Sequence, residues 1–174
     1  MKRLRFVVTA LALIAIASPS FAQSVDGVRS GLVRPNLISA NPIGLLFLWY
    51  NAEFEHAVSP TVSLAVAGSS YDFDDARYGS VDGIVRYYPA ARAVRGFSIG
   101  GSVGFIDINE DPCEFCSDDS GSSATIGVRA DYIWIIGRDQ RFSAEAGVGA
   151  KRLLSDNLGT DGVPIGRLSI GWAW

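Results

Sequence analysis

The most constraining feature of the sequence is the alternation of side chains in its last twelve residues, Val163 to Trp174. From Leu168 onward, one parity holds large apolar residues and the other holds small or polar residues. A period of two with unlike faces is typical of a β-strand that separates two environments. The indoles of Trp172 and Trp174 suit a strand that closes a barrel in lipid, because tryptophan is favoured at membrane interfaces.

Similar alternation recurs along the chain, in segments separated by turn signals. We predict eight strands, near 37–47, 49–58, 61–73, 78–89, 95–107, 123–136, 141–153 and 163–174. The boundary between the first two is the weakest, because Leu45 to Tyr50 contains no turn signal, and 37–58 could be one strand. The predicted fold class is all-β, a transmembrane up-and-down antiparallel β-barrel of about eight strands.

The two faces of these strands differ in a way that indicates lipid outside. The predicted outward residues are Val62, Leu64, Val66, Val81, Val85, Tyr87, Phe97, Ile99, Val103, Phe105, Ile126, Val128, Tyr132, Trp134, Phe142, Val148, Leu168, Ile170, Trp172 and Trp174. The opposite face is rich in Ser, Gly and Ala. A soluble lipocalin-like barrel would exchange the faces, with large apolar residues inside. We therefore favour the membrane barrel.

The connections are expected to alternate in length, as in outer-membrane barrels with periplasmic turns and extracellular loops. Short links are predicted at 59–60, 89–94 and 137–140, and long, mostly acidic loops at 74–77, 109–122 and 155–162. With an even strand count, both termini lie at the short-turn end. Two interfacial girdles are expected, formed by Tyr87, Tyr88, Phe97, Trp134, Phe142 and Trp174 at that end and by Tyr71, Phe73, Tyr78 and Phe105 at the loop end.

The first 22 residues have the organisation of a secretory signal peptide. A basic start, an apolar run from Phe6 to Ala17 and a small-x-small site at Ser20 to Ala22 precede Gln23. The predicted domains are therefore 1–22 signal peptide, 23–36 N-terminal arm and 37–174 barrel. Loss of three basic residues takes the net charge from −3 to about −6, which disfavours nucleic acid as a partner.

Charged residues also fall on the predicted inner face. They are Glu53, Glu55, Asp82, Arg86, Arg129, Asp131, Glu145, Lys151 and Arg167. Isolated charges in a narrow interior would be costly, so we expect them to form a connected network. An eight-stranded barrel can be filled by its own side chains. We therefore favour a salt-bridged plug over a selectivity path.

Other chemistry-bearing residues are sparse. Cys113 and Cys116 share the longest loop, and an exported chain favours a disulfide between them, with free or intermolecular thiols as the alternative. A metal site would need further ligands, and the single histidine, His56, lies on another strand. Alternation separates His56 from Glu55, so a catalytic triad is disfavoured. The acidic loops match no defined calcium loop, and a solvated surface is the simpler interpretation.

At family level, the chain resembles the small bacterial outer-membrane barrels of the OmpA, OmpX, OmpW and opacity-protein type. The resemblance rests on Val85 to Pro89 before a turn, Arg95 to Phe97 after it, and Trp172 to Trp174 at the end. It implies that the final strand is similar to the signal read by the barrel-assembly machinery, although Phe is the usual last residue there. Lipid A deacylases of similar fold carry a His-x-Ser pair, which His56 to Val58 lacks. Because the sequence shows no peptidoglycan-binding domain after the barrel, a tethering role is not expected.

The sequence as a whole predicts a non-enzymatic surface or structural protein of the bacterial outer membrane. Its expected partners are outer-membrane lipid and lipopolysaccharide and the barrel-assembly machinery, with a surface ligand left open. No cofactor, metal or catalytic residue is expected. The alternatives are a narrow channel for small solutes or ions and, less favoured, a lipid-modifying barrel enzyme.

Overall fold

The barrel is closed and contains eight antiparallel strands in chain order. The computed structural model describes residues 34–73, 76–110, 121–154 and 162–174. The strands are β1 Asn36–Ala40, β2 Trp49–Ala57, β3 Val62–Phe73, β4 Ala76–Tyr87, β5 Gly96–Glu110, β6 Gly121–Ile136, β7 Phe142–Leu153 and β8 Gly162–Ala173, with one helix, α1 Pro42–Leu46. This confirms the predicted all-β, eight-stranded up-and-down barrel.

Several predicted features fall outside the described residues. They are the signal peptide at 1–22, the arm as far as residue 33, the cysteines Cys113 and Cys116, and most of the acidic loop residues. Within the described part of the chain, no helix has the length and apolar character required to cross a membrane.

The predicted first strand, 37–47, is wrong beyond Ala40. The Asn41 side chain accepts hydrogen bonds from the backbone N–H groups of Ile43 and Gly44, each at 3.0 Å. Pro42 follows at the start of α1, where its missing N–H costs nothing. Asn41 is thus a helix N-cap. Leu48, with φ of 58°, then leads the chain into β2. The turn between the first two strands is a capped helical turn inside an apolar run.

The predicted alternation of short and long connections is wrong at two places. Strand β3 ends at Phe73 and pairs there with Ala76 of β4, so the expected loop 74–77 shrinks to two residues. The link between β4 and β5 spans 88–95 and is longer than expected. Both termini of the barrel do lie at one end, because the backbones of Asn36 and Trp174 exchange hydrogen bonds of 3.1 and 3.0 Å.

The predicted faces are confirmed. Outward side chains such as Leu64, Val103 and Leu168 are 50%, 64% and 50% exposed. Most of the other predicted outward residues are exposed as well, with Val62 and Val66 half-buried. Inward residues such as Ser98 and Ser143 are fully buried. The barrel therefore has an apolar outside and a polar inside.

The predicted aromatic girdles are wrong at three tyrosines. Tyr88 is fully buried inside the barrel, and Tyr71 and Tyr78 face a cavity in the lumen. Tyr88 has the parity of the inward Arg86, so its side chain points in the same direction. The other aromatics predicted for the terminal end are exposed on the outside: Tyr87, Phe97, Trp134, Phe142 and Trp174.

Candidate functional site

An apolar cap closes the lumen at the end that carries the termini. Its buried residues are Leu37, Ala57, Tyr88, Ala93, Val94, Ile133 and Ala173. The β4–β5 turn folds under the barrel to supply part of it: the N–H of Ala93 donates to the Pro60 carbonyl at 2.8 Å. Val94 is 2% exposed and has φ of 64°, an unfavourable conformation for a β-branched residue. Burial of its side chain offsets that strain.

Above the cap, Arg86 of β4 binds three carboxylates, two on β2 and one on β6. Its Nη1 donates to Glu55 at 2.6 Å, its Nη2 to Glu53 at 2.6 Å, and its Nε to Asp131 at 3.1 Å. The side chains of Arg86, Glu53 and Glu55 are each 1% exposed. The planar guanidinium suits this arrangement, because its donors point in fixed and different directions.

Two further arginines extend the network across the lumen. Arg129 donates to Asp131 at 2.7 and 2.9 Å and to Glu53 at 3.3 Å. Arg167 donates to Glu53 at 2.6 Å and to Glu145 at 2.8 Å. Glu53 therefore contacts all three arginines, and β2, β4, β6, β7 and β8 are joined by one set of ion pairs.

Hydroxyl groups satisfy the remaining carboxylate oxygens. Both Ser63 and Tyr88 donate to Oε1 of Glu55, and Ser143 donates to Glu145 at 3.5 Å. Ser39 accepts from Arg167 at 2.7 Å. Such bonds are needed because desolvating a buried ion is costly unless its polar atoms are paired. We call these seven charged residues, with their hydroxyl partners, the ionic layer: Glu53, Glu55, Arg86, Arg129, Asp131, Glu145 and Arg167.

The other two predicted lumen charges form a separate pair closer to the loop end. Lys151 Nζ contacts Oδ2 of Asp82. The second carboxylate oxygen of Asp82 is buried and has no partner among the described residues, and the same holds for the hydroxyls of Ser98 and Ser169. The structure thus places all nine predicted charges in the lumen, seven in the ionic layer and two in this pair.

Glycines opposite the charged residues make room for them. A Cβ on Gly147 would overlap the carboxylate of Asp131, its cross-strand partner. A Cβ on Gly104 would overlap Asp82 in the same way. The glycines of the inner face therefore leave room for large charged side chains, which lie across them from the neighbouring strand.

A cavity of about 450 Å³ lies between the ionic layer and the loop end. Its walls include the aromatic residues Trp49, Tyr71 and Tyr78, and the rings of Trp49 and Tyr71 meet edge-on with centroids 6.5 Å apart. Lys151, Asp82 and Ser169 also border it. The cavity is accordingly apolar on much of its wall, with polar groups facing it from the lumen.

The remaining candidates that the structure describes, His56, Trp172 and Trp174, lie outside the lumen. Nδ1 of His56 is 2.7 Å from the side-chain oxygen of Asn36, on the outer face near the termini. The ring of Trp174 is tilted against that of Phe54 with centroids 6.1 Å apart, and the guanidinium carbon of Arg141 lies 5.7 Å from the ring centroid of Trp172. In the described ranges, no three His, Cys, Asp or Glu residues are grouped to hold a metal ion.

The sequence placed Ser63 and Ser143 on the inner face but did not identify them as hydrogen-bond partners of the ionic layer, and it did not identify the residues of the cap. Tyr88 shares the parity of the inward charges, and this signal could have placed it in the lumen, as it did Ser63. Val94 carried no such signal, because its position depends on how the β4–β5 turn folds back. The residues of the ionic layer could therefore be predicted from the sequence more completely than those of the cap below it.

Comparison with known proteins gives a likeness to solved structures. No protein-family description matches the sequence, and no curated protein matches it either. The structure is similar to the crystal structure of the N-terminal beta-barrel domain of Pseudomonas aeruginosa OprF, with a TM-score of 0.49 and 19% sequence identity. The match covers 81% of this chain and 98% of that one.

Proposed function

We propose that the protein is a bacterial outer-membrane barrel with a sealed lumen and a structural or surface role without catalysis. The membrane location is supported by the outer face, where large apolar residues are exposed all round the barrel. Such a belt would be a severe aggregation hazard in water, whereas lipid solvates it. Aromatic residues exposed at the terminal end, including Trp134 and Phe142, match an interfacial girdle.

The observation that carries the sealed lumen is the burial of the ionic layer. Arg86 and its carboxylates leave almost no accessible surface, and the apolar cap lies directly beneath them. A solute path would need hydrated groups along its length, since a permeating ion must exchange its water shell for polar contacts. The ionic layer therefore supports a plug that ties strands together and does not favour a channel.

Proposed partners follow from the same location. Outer-membrane lipid and lipopolysaccharide would surround the apolar face, and the barrel-assembly machinery would receive the chain through its last strand. Support for the second partner comes from β8, whose end at Trp172 to Trp174 closes the barrel against β1. A surface role, in envelope integrity or contact with other cells, would fall to the loops.

Planar-bilayer recording tests the sealed lumen. Purified wild-type protein is expected to give no steady open steps, because the ionic layer and the cap obstruct the lumen in series. The matched control is Val81→Ala, which changes only the outer face of β4 and is expected to be equally silent. Reproducible steps in the wild type whose size changes with Glu145→Gln, but not with Val81→Ala, would contradict the plug and establish a channel through the ionic layer.

A further inference from the structure

Strand β1 closes the barrel but is shorter than both of its neighbours, so its pairing with β2 and β8 stops before the loop end. Ala40, its last residue, pairs with Ile170 of β8 and Ala52 of β2. Strand β8 continues beyond this point to Gly162 and pairs there with β7. Among the described residues, no strand pairs with the other edge of β8 from 163 to 169. In the part of the chain that the structure describes, the ladder of strands therefore has a lateral gap between β8 and β2 at the loop end.

Helix α1 borders this gap and presents apolar residues. It packs against both β2 and β8 but forms no backbone ladder with either in the described chain. Its side of the gap exposes large apolar side chains at 48–81% of their surface, namely Ile43, Leu45, Leu46, Phe47 and Leu48. Exposed apolar residues at this density suit contact with lipid tails. The rim of the gap is therefore compatible with the outer leaflet of a bilayer.

The cavity in the lumen extends to the gap. It is bordered by Val163 and Ile165, which share the inward parity of Arg167, and also by Pro164 and Gly166, which have the outward parity. The cavity therefore runs along the part of β8 whose edge no described strand pairs with, which is where a route between the lumen and the lipid would lie. Pro164 fits a free edge, since it has no N–H to donate.

At its inner end the cavity offers one donor group and two acceptors without partners. Lys151 has three donor hydrogens and one carboxylate contact, to Asp82. Oδ1 of Asp82 and Oγ of Ser169 have no hydrogen-bond partner among the residues that the structure describes, although the two residues are 6% and 2% exposed. Buried polar groups are normally paired, so this site has unused hydrogen-bonding capacity. The walls above it, including Ile106 and Leu153, are apolar.

Charge indicates what kind of group would bind there. The five acids and four bases of the lumen already carry a small negative excess, which disfavours an added carboxylate or phosphate. A hydroxyl group can accept from Lys151 and donate to Asp82 without adding charge. We propose that the cavity binds a single-chain amphiphile with an uncharged hydroxyl head, such as a monoacylglycerol, which enters from the outer leaflet between β8 and α1. This inference rests on the proposed membrane location.

Fluorescence quenching of Trp49 tests this site. Trp49 borders the cavity, and the other three tryptophans, Trp134, Trp172 and Trp174, face outward and can be replaced by Phe. The Trp49-only protein is inserted into phosphatidylcholine vesicles and titrated with a monoacylglycerol whose chain is dibrominated. We expect saturable quenching, because the chain would lie beside Trp49 at a fixed number of sites.

Three variants identify where the probe binds. Ser80→Phe fills the cavity and is expected to abolish the saturable part of the quenching, whereas Val81→Phe places the same side chain outside the barrel and should leave that part unchanged. The double change Asp82→Leu with Lys151→Met removes the head site without stranding a charge, and should raise the half-saturating concentration about tenfold. Each variant is first checked for vesicle flotation and for the gel shift of a folded barrel.

Three results would overturn the inference. One is quenching that rises linearly with probe concentration and is the same in the Ser80→Phe variant, provided that this variant floats with the vesicles. Another is equal affinity for a brominated fatty acid of the same chain length, which would contradict the uncharged head. The third is equal, Ser80→Phe-sensitive quenching by brominated phosphatidylcholine, which would assign the site to bulk lipid. A protein that fails to float would instead contradict the membrane location.

Discussion

Replacing Arg86 with alanine is expected to lower the free energy of unfolding by about 3–5 kcal/mol, the usual cost of breaking a buried ion pair. The loss comes from the carboxylates of Glu53, Glu55 and Asp131, which would keep their desolvation cost and lose a shared partner. Equilibrium unfolding in urea, followed by tryptophan fluorescence in lipid vesicles, measures it. The matched control is Arg95→Ala at an exposed turn position, expected to change stability by less than about 0.5 kcal/mol.

Two further changes at this site separate charge from geometry. Arg86→Lys keeps the charge but has no planar fork, so it should recover only part of the stability, because one ammonium group cannot match three carboxylates held at fixed directions. Arg86→Met combined with Glu55→Gln removes one charge of each sign and should be less harmful than Arg86→Met alone. If Arg86→Ala were as mild as Arg95→Ala, the ionic layer would not be a stabilising plug.

Leu168→Arg is expected to destabilise the barrel in vesicles by about 2–4 kcal/mol, the cost of an arginine facing lipid near the bilayer midplane. Leu168 is 50% exposed, points outward and lies near the middle of β8. Unfolding of the variant and the wild type in the same vesicles measures the difference. In a water-soluble barrel the same change would be a surface substitution worth within about 0.5 kcal/mol.

Arginine at the adjacent residue provides the matched comparison. Ser169 is 2% exposed and pairs with Glu145 across the strands. The larger, positively charged side chain of an arginine there would crowd Arg167 and Glu145 inside the lumen. Ser169→Arg should therefore destabilise the protein to a similar extent in vesicles and in detergent, whereas the cost of Leu168→Arg should depend on the lipid. Two harmless substitutions would contradict the assignment of the faces.

The alternation of side chains was enough to predict the barrel and its two faces. A strand period of two assigns each residue to a side once one residue is assigned, so Leu168 and Ser169 could be placed without coordinates. The same parity rule, applied to Tyr88, would have placed it beside Arg86. Its prediction as a girdle residue failed because proximity to the strand end was given more weight than parity.

Other features depended on information that the pattern does not contain. The partners of Arg86 lie 31, 33 and 45 residues away, so they follow from register and barrel closure. Helix α1 was missed because Asn41 and Pro42, both helix-start signals, lie within an apolar stretch that also fits a strand. The lateral gap depends in turn on where β1 ends, and the cavity could not have been predicted without it.

The central claim, a closed barrel stabilised in the bacterial outer membrane, is tested most directly by heat-modifiability. The membrane fraction is extracted in mild detergent, and unheated and boiled samples are compared on one gel. We expect the unheated protein to migrate at a different apparent mass from the boiled protein, because a closed eight-stranded barrel resists unfolding by the detergent. Recovery of the protein in the soluble periplasmic fraction, with identical migration before and after boiling, would contradict the claim.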